Sequence, residues 1–291
     1  MLYAGVELGG TKCVAILAQG PNDVVARETV PTTNPDETLG SLEQIVRGWK
    51  QTHELAALGI ASFGPIDVIR GSATYGHMLA TPKPGWPGTE IASRLQSAAG
   101  VPAAFDTDVN GAAFAEMHWG SGRGFADFAY VTVGTGIGVG LIVSGKPTRG
   151  FAHCELGHIR SARHPHDDWP GSCPFHGDCV EGLASGSALK ARFGDRLPEI
   201  DHDDPVWESV GWTLAQLCHT IVCAAAPQRI AMGGGVLEQQ PHLIGKINSI
   251  LGDSLNNFLR LPDDRNYVIS PELGQDAGPL GAIALAMSIS D

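Results

Sequence analysis

The chain has 291 residues, of which 43% are hydrophobic and 17% are charged, and its formal net charge is −12. This length is enough for two domains with hydrophobic cores, and the composition indicates a soluble globular protein without disorder. The acidic balance argues against a nucleic-acid partner, which needs a basic face. It does not exclude nucleotide binding, because backbone N–H groups and Mg²⁺ can hold phosphates locally.

The N-terminal residues and the cysteines indicate a cytoplasmic location. Residues 1–5 contain no basic region, and no long apolar run follows them, so no signal peptide is expected. No stretch is long and apolar enough to predict a membrane span, so no membrane partner is expected either. Six cysteines without a secretion signal suit a reducing compartment.

The first half of the chain is predicted to start with three strands and to continue with alternating helices and strands. Strand predictions rest on apolar alternation, and helix predictions rest on apolar residues that recur at helical spacing. In chain order these elements are strands Tyr3–Leu8, Lys12–Ala18 and Val24–Val30, a helix over Leu39–Trp49, strand Ala57–Ser62, helix Thr89–Ala99, strand Ala103–Asp106 and helix Val109–His118.

The second half of the chain begins like the first. A strand, a glycine-rich turn and a returning strand occur near residue 9 and again near residue 135, which suggests two related domains. The predicted elements are strands Phe128–Val133 and Val139–Val143, a long helix that carries Leu214 to Val222, strand Arg229–Met232, and helices Leu243–Leu259 and Gly278–Ile289.

This order of elements predicts an α/β fold with two domains, mixed sheets and an interdomain cleft. The N-terminal domain is expected to comprise residues 1–118, joined by the C-terminal helix 278–291. The C-terminal domain is expected to comprise residues 119–277 and to contain a loop rich in Cys and His.

That loop predicts a zinc site. His158, Cys173, His176 and Cys179 offer two imidazoles and two thiols at short intervals on a loop rich in Pro and Gly, which fits one tetrahedral ion. A set of four nitrogen and sulfur ligands leaves no open position, so the zinc is expected to be structural. Alternative ligands lie nearby in the sequence, namely His153, Cys154, His164 and His166.

Three glycine-rich turns follow predicted strands and could admit the phosphates of a nucleotide. Without Cβ atoms, such turns let main-chain N–H groups approach a phosphate closely, and neighbouring Thr and Lys side chains add donors. An ordinary hairpin turn explains any single one of them, but three in one chain favour a nucleotide. The residues concerned are Gly9, Gly10, Thr11 and Lys12, then Gly134, Thr135 and Gly136, and finally Gly233, Gly234 and Gly235.

Together these segments resemble the ROK sugar kinases of the actin/hexokinase ATPase superfamily, and bacterial fructokinases in particular. The resemblance covers nearly the whole chain and implies two actin-like (ribonuclease H-like) domains. The motifs that carry it are Glu7–Lys12 and Val133–Gly138 as phosphate loops, Glu155–His158 with the Cys/His loop, Gly233–Val236 at the adenosine side, and Ser62–Asp67, Thr81–Trp86 and Asp106–Ala113 as the fructokinase-like segments.

The resemblance also implies residue roles and cofactors. Asp108 corresponds to the general base of phosphoryl transfer, and the cofactors would be ATP, Mg²⁺ and a structural Zn²⁺. The family also suggests a homodimer. Two positions depart from common family patterns, since Glu7 stands where Asp is usual and Thr107 stands where glucokinase-like members carry Asn. The sugar contacts implied are Gly64, Asn110, Glu155, His158 and Glu181.

Several alternatives remain open at this stage. Asp108 also suits a helix N-cap, where Asp is favoured. The sugar could be mannose, glucose or N-acetylmannosamine instead of fructose. A non-enzymatic, sugar-responsive ROK-type regulator shares the fold, but such proteins usually carry an N-terminal helix-turn-helix, whereas this sequence begins with a predicted strand.

Overall fold

The computed structural model describes residues 1–262 and 266–289, and their contacts divide the chain into two compact units. Unit 1 contains residues 1–123, 147–154 and 275–289, and unit 2 contains residues 124–146, 155–262 and 266–274. The predicted boundary left residues 147–154 in the C-terminal domain, whereas the contacts place them in unit 1. Residues 290 and 291 of the predicted helix 278–291 lie outside the described residues.

The described elements confirm the predicted α/β class with two mixed sheets. In chain order they are β1 (Tyr3–Leu8), β2 (Lys12–Gly20), β3 (Asp23–Pro31), α1 (Pro35–Thr52), β4 (Leu58–Ser62), α2 (Ala92–Ala99), β5 (Ala103–Thr107), α3 (Asp108–Trp119), β6 (Phe128–Val133), β7 (Ile137–Val143), β8 (Lys146–Pro147), α4 (Val180–Ala184), α5 (Gly186–Phe193), α6 (Val206–Ala225), β9 (Arg229–Gly233), α7 (Gly235–Gln239), α8 (Leu243–Leu255), β10 (Val268–Ile269) and α9 (Ala277–Met287).

The sheets of the two units have the same topology. The sheet of unit 1 has the order β3-β2-β1-β4-β5, and the sheet of unit 2 has the order β8-β7-β6-β9-β10. In each sheet the first two strands of the unit pair antiparallel, and the first strand pairs on its other side with a parallel strand. The predicted repeat of strand, glycine turn and strand therefore extends to five strands per unit.

Helix α9 lies directly on the sheet of unit 1 because glycines remove the side chains that would separate them. A Cβ atom on Gly59 of β4 would collide with the carbonyl oxygen of Ala282, and one on Gly281 would collide with the backbone of Gly111 in α3. Most residues of α9 are fully buried, in keeping with its contacts to both sheet and helix. The glycines thus allow a backbone-to-backbone approach that larger residues would prevent.

Substituting Gly59→Ala tests this close packing. The new Cβ would lie 2.7 Å from the Ala286 nitrogen as well as against Ala282, and a helix backbone cannot give way as a flexible side chain can. We expect a loss of about 3 kcal/mol of unfolding free energy, at the upper end of overpacking costs, measured by urea denaturation. The matched control is Gly48→Ala in α1, where nothing lies within 4 Å of the added atom. That change should stabilise by about 0.5–1 kcal/mol, and equal midpoints for the two variants would contradict the packing argument.

The core of unit 2 forms between its sheet and helices α6 and α8. Buried apolar residues recur along α6 from Val206 to Val222 and meet those of α8, such as Ile247 and Leu251. Helix α8 ends at Leu255, four residues before the predicted end, because Asn256 adopts a left-handed conformation (φ 46°) that stops the helix. None of the helices in the described part of the chain is both long and apolar enough to cross a membrane.

Candidate functional site

Three parallel strands of unit 1 bring three predicted motifs to the same edge of its sheet. In the register of the sheet, Leu8 at the end of β1 pairs with Ser62 at the end of β4, which pairs with Thr107 at the end of β5. The next residues are the first glycine turn, the segment that contains Gly64, and Asp108. Carboxyl ends of parallel strands are where α/β sheets bind ligands.

The first glycine turn, Gly9–Lys12, is fixed by hydrogen bonds at Gly9, while its other three residues are exposed. Gly9 donates its N–H to the Lys12 carbonyl (3.1 Å), and a Cβ on Gly9 would lie 2.6 Å from that oxygen. Thr32 donates its hydroxyl to the Gly9 carbonyl (2.7 Å). Gly10, Thr11 and Lys12 are exposed, so their donors are accessible to an anion.

Two charged residues beside this turn add to its chemistry. Lys83 donates from Nζ to the Gly10 carbonyl (2.6 Å), which places a cation at the turn. Sequence reasoning did not assign this role to Lys83, although its segment 81–86 was singled out. Glu7 precedes the turn, and burial raises the pKa of its carboxyl to about 7, although Lys12 and Arg27 lower it. A Cβ on Gly278 of α9 would collide with the Glu7 carboxylate, so glycine at that position makes room for it.

Asp108 is not the N-cap of α3. The cap is Thr107, whose hydroxyl oxygen accepts the N–H of Asn110 (3.2 Å), and Asp108 is the first helical residue. Its Oδ1 accepts the N–H of the adjacent Val109 (2.9 Å), and the residue is partly exposed. The N-cap position therefore belongs to Thr107, while Asp108 accepts a second N–H of the first helical turn.

Asp106 fixes the side chain of Asn110, a predicted sugar contact. The Asp106 carboxylate is buried, and its Oδ1 accepts the Asn110 Nδ2–H and the Thr107 N–H, both at 2.8 Å. Its Oδ2 accepts from Arg149 Nη2 at 2.6 Å. Since the amide nitrogen of Asn110 is engaged, the orientation of its side chain is set by this buried pair. Arg149 lies forty residues away in sequence, and no local pattern indicated it.

The segment that contains Gly64 is held by a second residue of the stretch 147–154. His153, which is buried, accepts the Ile66 N–H on Nε2 (3.1 Å). The stretch 147–154 therefore contacts the rest of unit 1 near two of the predicted sugar contacts, Gly64 and Asn110.

The second glycine turn joins β6 and β7 in unit 2. It closes on itself through the Gly134 N–H and the Gly136 carbonyl (2.9 Å). The start of α5 supports it, because the Gly186 N–H donates to the Gly134 carbonyl (2.8 Å) and the Ser187 N–H donates to the Thr135 carbonyl (3.2 Å). These backbone hydrogen bonds therefore fix the conformation of the turn, and Thr135 is exposed at its tip.

The third glycine run lies at the same sheet edge as the second turn, because β6 and β9 are parallel. Gly234 has a φ of 96°, and a Cβ there would lie 2.7 Å from the Val133 carbonyl. A Cβ on Gly233 would lie 2.7 Å from Pro271. Packing against the Pro271 ring and the Val133 backbone accounts for these two glycines, whereas Gly235 has open space around it.

The four predicted metal ligands converge within unit 2. The ligand atoms of His158, Cys173, His176 and Cys179 all lie within 4.8 Å of one another. His158 Nδ1 is 3.7 Å from Cys173 Sγ and 3.6 Å from Cys179 Sγ, and His176 Nδ1 is 3.7 Å from Cys173 Sγ. Standard Zn–N and Zn–S bond lengths in a tetrahedron give N···S edges of about 3.6 Å. The donor set and its spacing therefore fit one zinc ion.

The alternative metal ligands have other contacts. Cys154 is next to Thr148, with its sulfur 3.0 Å from the hydroxyl oxygen, and the rings of His164 and His166 lie against each other, 5.7 Å apart. Among the described residues, none of these belongs to the ligand cluster.

Glu181 lies beside the metal cluster and touches the second glycine turn. Its Oε2 accepts the Ile137 N–H (2.9 Å), and its Oε1 is 3.9 Å from His158 Nε2. Glu155 is exposed and precedes a single 3-10 turn, Leu156–His158. The three predicted sugar contacts of unit 2 thus lie near or within the metal site.

Comparisons with known proteins show which family this chain is similar to. A model of the ROK family matches residues 3–289. A fructokinase from Zymomonas mobilis is 41% identical, with 99% of this chain and 97% of that protein covered. A fructokinase from Pediococcus pentosaceus is 37% identical, with 99% and 98% covered. The crystal structure of a ROK hexokinase from Thermus thermophilus superposes with a TM-score of 0.80 at 25% identity, over 100% of this chain and 99% of that one.

The family model spans nearly the whole chain, and the full-length relatives exceed 30% identity. The resemblance stated from the motifs is therefore confirmed, and the chain belongs to the ROK family.

Proposed function

We propose that this protein is an ATP-dependent hexose kinase that converts D-fructose to fructose 6-phosphate. The observation that carries the proposal is the position of Asp108 at the ligand-binding edge of the unit 1 sheet, with the capping role taken by Thr107. The names of the full-length relatives support fructose as the substrate.

In the proposed reaction, Asp108 accepts the proton of the attacking sugar hydroxyl. Phosphoryl transfer needs little covalent chemistry from the protein, so the rest of the site binds and orients. The residues proposed to contact the sugar are Gly64, Asn110, whose side chain is held by Asp106, Glu155, His158 and Glu181. Mg²⁺, when bound with ATP, would neutralise charge on the phosphates.

The glycine turns are proposed to bind the nucleotide. Gly10, Thr11 and Lys12 are exposed, and the Lys83 ammonium group bonds the Gly10 carbonyl, an arrangement that suits a polyphosphate. The turns at 134–136 and 233–235 are proposed to bind the nucleotide as well. A structural zinc ion, a homodimer and a cytoplasmic location belong to the same proposal.

The substrate assignment is tested by a panel of sugars at subsaturating concentration. We expect D-fructose to have the highest kcat/KM, mannose to be weaker, and glucose and N-acetylmannosamine to be poor substrates, since a site built to bond hydroxyls at particular positions rejects sugars whose groups are placed differently. A coupled assay of ADP release measures the rates. Faster turnover of glucose or N-acetylmannosamine would contradict the assignment, and no turnover of any hexose would favour a non-enzymatic regulator.

A further inference from the structure

Residues that flank the metal ligands contact the backbone of the residue that directly follows the second glycine turn. That residue is Ile137, the first residue of β7. Its carbonyl oxygen lies so close to Gly157, the neighbour of His158, that a Cβ on Gly157 would collide with it. Its N–H donates to Glu181, two residues beyond Cys179. The metal-binding segment therefore hydrogen-bonds the N–H of Ile137 and packs against its carbonyl oxygen.

The Glu181 carboxylate also fills the space beside the turn. Its Oε2 would lie 2.6 Å from a Cβ on Gly136, so the carboxylate covers Gly136 and bonds Ile137 at once. Position 136 therefore needs glycine for this approach.

Glu181 is linked to the metal site through His158. The His158 ring presents Nδ1 to the two cysteine sulfurs, and its Nε2 faces Glu181 Oε1 at 3.9 Å. A metal bound at Nδ1 would fix the ring, and the carboxylate opposite Nε2 would be oriented with it. Cys179 also caps α4 by accepting the Gly182 N–H on Sγ (3.4 Å), so the same ligand fixes the helix that carries Glu181.

We propose that the Cys/His metal site holds the second glycine turn in its binding geometry, with Glu181 as the positioning residue, so that metal occupancy sets the affinity for the ATP phosphates. The inference rests on the proposed function only for the assignment of this turn to a nucleotide.

Loss of the metal or of Glu181 should affect only the end of the turn next to Ile137. Gly134 and Thr135 are held by the start of α5, through bonds that involve neither a metal ligand nor Glu181. Loss of the metal or of Glu181 should therefore loosen the turn at Ile137 without releasing residues 134 and 135.

Amide hydrogen exchange tests the structural half of the proposal without any turnover. In zinc-loaded protein, Glu181→Ala should speed exchange of the Ile137 amide about tenfold, the loss of roughly one hydrogen bond, while Glu181→Gln, which keeps an acceptor oxygen, should retain protection. Glu208→Ala is the matched control, because Glu208 is a carboxylate of unit 2 that pairs with Lys246 on α8. Unchanged exchange at Ile137 in Glu181→Ala would overturn the proposal.

Calorimetric titration with a non-hydrolysable ATP analogue and Mg²⁺ tests the functional half. We expect about tenfold weaker binding, equivalent to one hydrogen bond, both in zinc-depleted wild-type protein and in zinc-loaded Glu181→Ala, and wild-type affinity in Glu208→Ala. Elemental analysis confirms that the Glu181 variant retains zinc, so the result does not depend on whether the zinc-free protein stays folded. Equal affinity of zinc-loaded Glu181→Ala and wild type would refute the coupling. Neither measurement uses fructose, so failure of the sugar assignment would leave both results standing.

Discussion

Asp108→Asn is expected to lower kcat by about 10²–10⁴-fold, the usual contribution of a general base. Asparagine keeps the size of the side chain and can still accept the Val109 N–H on its amide oxygen, but it cannot take up the hydroxyl proton. Fructose and ATP should therefore bind with little change, and the melting temperature should move little. Steady-state kinetics and thermal denaturation measure the two effects.

Thr107→Ala is the control for Asp108→Asn. Because Thr107 is the cap of α3, its loss should cost about 1 kcal/mol of stability and should mainly lower the melting temperature. Asp108→Asn should therefore lower kcat with little change in melting temperature, whereas Thr107→Ala should mainly lower the melting temperature. An Asp108→Asn enzyme that turns over near the wild-type rate would show that Asp108 is not the base.

Cys173→Ser is expected to abolish stoichiometric zinc binding and to lower the unfolding free energy by several kcal/mol. The four ligands lie between residues 158 and 179, so the metal closes this loop, and its binding energy becomes folding energy. Elemental analysis measures the metal, and thermal denaturation measures the stability. His176→Ala should behave in the same way.

Cys154→Ser serves as the matched control for Cys173→Ser. Cys154 is a thiol four residues before the ligand His158 in sequence, but it contacts Thr148 instead of the cluster. Its loss should leave zinc content unchanged. Wild-type protein purified without stoichiometric zinc would contradict the structural metal site.

Local patterns predicted strands β1 to β7 and β9 to within two residues at each end, whereas the two-residue strands β8 and β10 were not predicted. Strands such as Tyr3–Leu8 and Phe128–Val133 are short, apolar and bounded by glycine, so the signal lies within the element itself. Helices α4, α5 and α7 were not predicted; α4 and α7 have only five residues each, which carry too little periodicity to be recognised. Their positions depend on tertiary contacts.

Some residues of the candidate site could likewise be recognised from the sequence, and others only from the structure. The candidate residues, such as Asp108 and the four proposed metal ligands, were singled out because short motifs and ligand spacing can be recognised in the sequence alone. Arg149 and Lys83 were missed because their partners, Asp106 and Gly10, are brought to them only by folding. The division between the roles of Thr107 and Asp108 also needed the structure, since either side chain suits a cap.

Helix α9 has a consequence for how the protein folds as it is synthesised. Domains generally fold in order from the N-terminus as the chain emerges. Unit 1 is the first to be translated, yet α9, which packs on β1, β4 and α3, follows the whole of unit 2. Until residues 277–287 have been synthesised, the face of the unit 1 sheet that contains Gly5 and Gly59 is therefore not covered by α9. Since all of unit 2 is translated before α9, we expect the core of unit 2 to form before the sheet of unit 1 is covered.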